Sequence, residues 1–290
     1  MNYKPRYSIG EVSTICNISK KALRYYDNIG IITTQRKDYN NYRYYTHESL
    51  LAVPVIKYYK QMGFKLEEMR EFIEGNLPNV YSAIRNSFLH KIEELEREQE
   101  EIRQQHISVK DWYDLILEAE MVLDNNISEV SVKYVELGPV LCFNQAFDQD
   151  IRTTVINIDF ANFVEEIGNK ITGPVILCFP SVTERIQNTC TSLQVLQKTI
   201  LPCPPQHQRT LQGSMMAACY HIGSHELIDQ TYEKMCRWAR EHGYTLAEES
   251  FERYVTDYWT TRNCHQFVTE VLIKVSRPGA AQHIARKGEC

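Results

Sequence analysis

The sequence predicts an α+β multidomain chain. Residues 1–76 read as a small helical module with a β-hairpin, 77–125 as a long dimer-forming helix, 126–276 as an α+β domain and 277–290 as a tail. Three observations carry that prediction. Residues 1–65 hold 11 Lys and Arg against 4 Asp and Glu, a balance of +7, while the rest stands at −12, giving the net −5. Tyrosine divides the same way, with 10 of its 18 copies between Tyr3 and Tyr59, so the first module is a distinct basic, Tyr-rich surface. Apolar residues then recur at every seventh position from Leu95, and from 130 to 275 period-two runs interleave with helical patterns.

A chain of 290 residues, 43% hydrophobic and 24% charged, is long and apolar enough to bury a core in each part, which excludes disordered, collagenous and disulfide-scaffold classes. Its nine cysteines include no Cys-x-x-Cys and no His/Cys cluster at zinc spacing, so they read as reduced thiols, with no metal and no cofactor called for. The first ten residues place charges and a proline before any apolar run, unlike a secretory signal. No stretch approaches the roughly 18 consecutive apolar residues that span a bilayer. A cytoplasmic protein without a membrane partner is expected.

Taken in order, Ser8 with Glu11 three residues on has capping-box spacing and opens a short helix to about Cys16. Asn17-Ile18 makes a turn, Ser19 opens a second helix over 20–27, and Asn28-Ile-Gly30 ends it. Two short helices around a tight turn form a helix-turn-helix. The second helix presents Lys20, Lys21, Arg24 and Tyr25 outward, with Ala22, Leu23 and Tyr26 inward. Asp38-Tyr-Asn-Asn41 is turn chemistry between two extended arms within 33–45, a hairpin wing that sets Arg43 and Tyr44 toward a phosphate backbone. Helices over 48–62 and 66–74 close the module.

Beyond Pro78, Leu95, Ile102, Val109, Ile116 and Leu123 form a strict heptad series, interleaved with Ile92, Gln99, His106, Tyr113 and Glu120. A 3-4 repeat of that length marks a coiled coil, read as an antiparallel dimer helix, with a helix of a monomeric bundle as the alternative. Strand-like runs follow at 131–136, 140–147, 175–179, 215–221, 252–256 and 266–275, with helical patterns at 154–168 and 225–243. The expected order is strand, strand, helix, strand, twice over, with a cleft between the halves.

Tyr7-Ser-Ile-Gly-Glu-Val-Ser13, Lys21-Ala-Leu-Arg-Tyr-Tyr-Asp27 and Tyr42-Arg-Tyr-Tyr45 closely resemble the signature of MerR-family transcription regulators. That resemblance implies a winged helix-turn-helix homodimer on promoter DNA whose −35 and −10 elements are spaced too widely. Effector binding then distorts the DNA and realigns those elements for RNA polymerase. The residues themselves fit this picture. Ser19, Lys20, Lys21, Arg24, Tyr25, Tyr39, Arg43 and Tyr44 are the candidate DNA contacts, basic groups meeting phosphates and tyrosines donating to them. Base readout falls to the outward face of the second helix.

No cysteine lies between Cys16 and Cys142, which departs from the metal-sensing branch of that family. Gly213 opening a strand to Tyr220, Tyr232 and Trp238 in a helix, Gly243, Phe251-Glu-Arg-Tyr254 and Thr269-Glu-Val-Leu-Ile-Lys274 resemble a gyrase-inhibitor-like effector-binding domain. The two halves together resemble the multidrug-sensing branch, which implies a lipophilic, cationic aromatic ligand.

Alternation in 267–275 sets Glu270 beside Val268 and Leu272, opposite Phe267, Thr269, Val271, Ile273 and Val275. An ionised carboxylate among apolar neighbours needs a cation or hydrogen bonds. A lipophilic cation supplies the charge, and the candidate aromatic walls are Phe143, Phe147, Tyr220, Tyr254, Tyr258 and Trp259. Alternation alone leaves open an outward, solvated Glu270 near Lys274 and core roles for each ring; Glu252 is either a family-like site residue or an interstrand partner. Two rival functions remain: a hydrolase-like enzyme using Glu270 or Glu252 as general base, and an architectural DNA binder without ligand.

Overall fold

The computed structural model describes residues 5–36, 42–74 and 79–277. The chain forms two compact units, Met1–Glu101 and Ile102–Cys290. In the first, β1 (Tyr7–Ser8) leads into α1 (Ile9–Ile15). Glu11 N–H donates to Ser8 Oγ at 3.3 Å and Ser8 N–H donates to the Glu11 carboxylate at 2.8 Å, satisfying two donors that a helix start leaves orphaned. Asn17 turns the chain at φ 46°, a left-handed conformation that Asn tolerates. Ser19 then caps α2 (Lys20–Asn28), accepting from Ala22 N–H at 3.1 Å. Gly30, at φ 78°, lets Ile31 N–H fold back onto the Tyr26 carbonyl at 3.0 Å and ends the helix.

The hairpin arms are β2 (Thr34–Arg36) and β3 (Arg43–Tyr45), antiparallel as expected. β1 adds to the other edge of β3, pairing Tyr7 with Tyr45. The turn expected at 38–41 falls outside the described residues, apart from its last flank at Tyr42. α3 (His47–Gln61) and α4 (Leu66–Glu74) follow, and Leu23, Tyr26, Tyr45, Val53, Ile56 and Met69 form a shared core.

α5 runs unbroken over Val80–Asp124. Within its own chain Leu95, Ile102 and Val109 stand 47%, 64% and 69% exposed, so the heptad stripe is uncovered here. Ile116 and Leu123 are half-buried. The last turns, which lie within the second unit, carry a second apolar stripe, Leu115, Ala119 and Val122, which packs on Val255 and Val268 of that same unit.

Beyond α5 that unit continues with β4 (Ser131–Ala146), one strand of 16 residues where two were expected. Pairing irregularities between Val135 and Val140 bend the strand without ending it. The single helix expected at 154–168 is two, α6 (Ile151–Val155) and α7 (Ile158–Glu166), because Asn157 caps the second by accepting from Phe160 N–H at 2.9 Å. β5 (Ile171–Phe179) is longer than its expected run. α8 (Val182–Ile186) and β6 (Ser192–Thr199) were not expected. β7 (Gln208–Ile222), α9 (Ile228–Glu241), β8 (Thr245–Thr256) and β9 (Val268–Ser276) complete it.

The strands close into a barrel in the order β4-β6-β5-β8-β9-β7. The first half runs β4, α6, α7, β5, α8, β6 and the second β7, α9, β8, β9, so in each the helical segment follows the first strand, not the second as expected. Reversing the order exchanges β4 with β7, β6 with β9 and β5 with β8, so a pseudo-repeat is present. Helices α7 and α9 cover the outer wall over Leu141, Leu177 and Tyr254 on one side and Ala217, Val271 and Ile273 on the other. The alternate residues, among them Val140, Ile176, Phe251 and Leu272, fill the inside. A side chain at Gly213 would collide with the Tyr134 hydroxyl, which lies across β7 at that point.

Candidate functional site

The first unit presents a basic face. Ser19, Lys20, Lys21, Arg24 and Tyr25 are exposed on one side of α2, while Leu23 and Tyr26 are buried and Ala22 half-buried on the other. Two turns of helix with this division place the cations and one phenol where a duplex groove and its phosphates can meet them. Arg43 is already engaged. Its guanidinium donates to Asp27 at 2.5 Å and to Asn28 at 3.2 Å, and Thr34 donates to Asp27 at 2.5 Å, so the hairpin is fastened to the end of α2. Arg43 thereby sets where the hairpin stands relative to α2. Tyr44 is half-buried on β3, and Tyr39 lies outside the described residues.

In the second unit, cross-strand register builds a row of Tyr220, Glu270, Arg253 and Ile176 on the inner face of the barrel. Glu270 is 1% exposed, so the solvated alternative does not hold. Nor is its charge uncompensated. Arg253 donates to one carboxylate oxygen at 2.8 Å, and the Lys133 ammonium, on a side chain 42% exposed, contacts the other. Arg253 also donates to both oxygens of Glu118 on α5, one of them at 3.1 Å, and the Tyr220 hydroxyl donates to Glu118 at 2.7 Å. Burial opposes the Arg253 charge, but Glu270 and Glu118 outweigh it and hold the guanidinium protonated. Burial, with the two carboxylates, pushes the Tyr220 phenol upward as well.

Beside this row opens a recess of about 590 Å³ walled by Val135, Leu137, Pro139, Pro174, Ile176 and Leu272, with Lys133, Lys198, Arg253, Glu136 and Glu270 at its polar margin. Lys198 is itself paired to Asp111 of α5 at 2.8 Å. The arrangement suits a mostly apolar ligand with a charged group, seated against a carboxylate whose outer partner is a solvent-reaching lysine. A further recess of about 670 Å³ is lined by Asn144, Cys178, Gln194, Arg209 and Glu249. There burial pushes the Cys178 thiol up to about 12, which leaves it an inert core thiol.

Of the aromatic candidates, Tyr220 alone stands in the Glu270 row. Phe143 packs on Phe160 and Phe163, and Phe147 sits edge-on to Phe179, both beneath the outer helices. Tyr254 is next to Arg253 in β8 and so points the other way. Tyr258 lies against His225 and Phe267, and Trp259 stacks on Trp112 of α5 with centroids 4.1 Å apart. The walls beside Glu270 are aliphatic. Glu252 belongs to the outer side too, fully buried and ion-paired to Arg185 at 2.7 Å, with hydroxyls of Tyr232 and Tyr254 donating at 2.9 and 2.6 Å. With Arg185 donating from two nitrogens, the second at 3.4 Å, and two hydroxyls beside it, Glu252 is satisfied within the fold. Arg253, Lys133 and Glu118 escaped the sequence reading. Only Arg253 carried a signal, as a charge next to Glu252 in a strand buried on both faces.

Residues 7–76 match the family described as MerR HTH family regulatory protein, and residues 158–276 match the GyrI-like small molecule binding domain. Over 279 residues the chain is 22% identical to the Multidrug-efflux transporter 2 regulator of Bacillus subtilis (strain 168), covering 94% of this chain and 97% of that regulator. Over 98 residues it is 34% identical to the HTH-type transcriptional regulator CueR of Escherichia coli O157:H7, covering 33% of this chain and 73% of CueR. Over 66 residues it is 48% identical to the Multidrug-efflux transporter 1 regulator of Bacillus subtilis (strain 168), covering 22% of this chain and 24% of that one.

Proposed function

Because the chain belongs to the MerR family, and is thus a transcription regulator and not an enzyme, we propose that it binds promoter DNA as a homodimer and activates transcription when a lipophilic cation enters the Glu270 recess. Ser19, Lys20, Lys21, Arg24 and Tyr25 on α2 meet the duplex, with Tyr39, Arg43 and Tyr44 on the wing. Leu95, Ile102 and Val109, the exposed stripe of α5, with Ile116 and Leu123 beyond them, form the seam with a second copy. The bound dimer distorts the DNA and realigns the promoter for RNA polymerase. The division of labour follows the expected parts: 1–76 for DNA, 77–125 for pairing, 126–276 for the ligand. Among the described residues no helix is long and apolar enough to cross a membrane, in keeping with a cytoplasmic regulator.

One observation carries the ligand class: a fully buried carboxylate whose outer oxygen is held by a half-exposed ammonium at the edge of an apolar recess. A ligand cation takes the Lys133 position without leaving Glu270 unpaired, and its apolar body covers the aliphatic wall. Arg253 then transmits the change, because it bridges Glu270 to Glu118 on α5. The test is calorimetry with methyltriphenylphosphonium and with neutral triphenylphosphine oxide, together with promoter footprinting. Glu270→Gln is expected to weaken the cation by about tenfold, ~1.4 kcal/mol, and the oxide by less than twofold. Equal loss for both, or a promoter footprint unchanged by the cation, refutes the proposal.

A further inference from the structure

The inner face of the barrel carries a second polar centre, one row along from Glu270. Cross-strand register sets Asn144 of β4, Gln194 of β6, Cys178 of β5 and Phe251 of β8 side by side. Arg209, near the start of β7, lies over the Phe251 ring at 5.5 Å. Its Nη2 donates to Glu249 at 2.6 Å, and its Nη1 donates to Cys178 Sγ at 3.1 Å and to the Gln194 carboxamide oxygen. Burial opposes this charge, and the bond to Glu249 helps to outweigh it. Gln194 in turn donates to Asn144 Oδ1 at 2.8 Å.

Among the described residues this set keeps open positions of both signs. Arg209 has Nε–H and one Nη2–H left over, the side edge of the guanidinium, which grips a carboxylate in two parallel bonds. Glu249 uses one oxygen for Arg209 and for the Cys178 thiol at 3.3 Å, and its other oxygen is open on a side chain 41% exposed. Asn144 accepts through its oxygen and keeps its amide nitrogen to donate. All of them line the recess of about 670 Å³, where Arg209 and Glu249 are the only charged side chains among the described residues. A lone anion there meets the repulsion of Glu249, and a lone cation that of Arg209. A zwitterion satisfies both, because its two charges are as close together as theirs.

We propose that this recess is a site for a polar α-amino acid, whose carboxylate takes the free edge of Arg209 and whose ammonium takes the open oxygen of Glu249. A carboxamide or hydroxyl side chain then accepts from the Asn144 amide, while Pro180 and Leu193 close the apolar side. Arg209 and Glu249 keep their own bond throughout, so the ligand adds partners without stranding either charge. The site is independent of the Glu270 reading, because the two recesses share no lining residue.

The experiment is calorimetry on the full chain with L-glutamine, L-asparagine and L-serine as probes. N-acetyl-L-glutamine, which lacks the ammonium, and L-glutamine amidated at its α-carboxyl, which lacks the carboxylate, are the controls. At least one free amino acid is expected to bind with a dissociation constant at or below about 1 mM, and both blocked forms at least about tenfold more weakly than L-glutamine. Arg209→Lys keeps the charge but loses the fork, and is expected to weaken the bound amino acid at least about tenfold. Glu249→Gln retains an oxygen for Arg209 on a side chain already half in solvent, so the fold is kept, and it is expected to weaken that amino acid at least about fivefold. Glu270→Gln is expected to leave its binding unchanged. The proposal is overturned by no saturable heat from any of the three up to about 10 mM, by a blocked form binding as tightly as L-glutamine, by unchanged affinity in Glu249→Gln, or by loss in Glu270→Gln with retention in Arg209→Lys.

Discussion

Replacing Lys133 by Met tests the proposed exchange at Glu270 most directly, because it predicts a gain. Met keeps an unbranched chain of similar reach and removes the ammonium that contacts the outer carboxylate oxygen. Arg253 still holds the other oxygen at 2.8 Å, so Glu270, 2% exposed in its side chain, is not left bare. A unit charge pair at contact distance is worth ~4 kcal/mol at an effective dielectric near 20 and ~1 kcal/mol in water. The Lys133 side chain is 42% exposed, which places its share toward the lower end, at about 1–2 kcal/mol after solvent screening.

A ligand cation must displace that ammonium in the native chain and has no such competitor in Lys133→Met. Methyltriphenylphosphonium is therefore expected to bind the variant about 5- to 30-fold more tightly, while triphenylphosphine oxide changes by less than about threefold. In a double-mutant cycle the gain should vanish on the Glu270→Gln background, since the interaction belongs to the pair. Isothermal calorimetry on the full chain measures all four proteins. Unchanged or weaker cation binding in Lys133→Met refutes the exchange and leaves Lys133 as a structural partner of Glu270.

Three other expectations rest on separate parts of the molecule. Arg185→Leu strands the Glu252 carboxylate in a fully buried place and should destabilise the second unit by about 3–5 kcal/mol; a thermal unfolding midpoint equal to the native one rules out that pairing. His225, with a folded pKa of about 4 against 6.5, binds protons less readily than the unfolded chain, so its contribution is whole above pH ~6.5 and lost as pH falls toward 4. That loss is about 3 kcal/mol, and denaturant titrations of His225→Phe should show a flatter pH profile over this window. Lys21→Ala should weaken promoter binding alike on specific and unrelated DNA and reduce the salt slope by about 0.9 per subunit; an unaltered slope in fluorescence anisotropy places Lys21 off the phosphates.

Local rules carried the first unit. The Ser8–Glu11 cap, the Asn17 turn and the division of α2 into exposed Lys20, Lys21, Arg24 and Tyr25 against buried Leu23 and Tyr26 depend on neighbours within four residues, so they were legible in the sequence. The parity of Glu270 was legible for the same reason. What it meets was not, because Arg253 and Lys133 reach it only once β9 pairs with β8 and β4 closes onto β7. Closure also explains the missed β6 and why Tyr220 alone of the aromatic candidates stands in the Glu270 row. In a barrel with helices outside and a filled interior, both faces of a strand are buried, and apolar character no longer tells them apart.

Successive charges in such a strand are the readable exception. Glu252 and Arg253 are adjacent in β8, and a strand must send them to opposite faces. Each therefore needs its own buried partner, and each has one: Arg185 on the outer side, Glu270 and Glu118 on the inner. The outer pair is closed by two tyrosine hydroxyls and holds the fold together. The inner one ends in a lysine that reaches solvent, and a carboxylate with an exchangeable partner is the one a ligand can use. A buried strand with two adjacent charges thus signals two polar centres, and the exposure of the outermost partner separates the structural one from the candidate site.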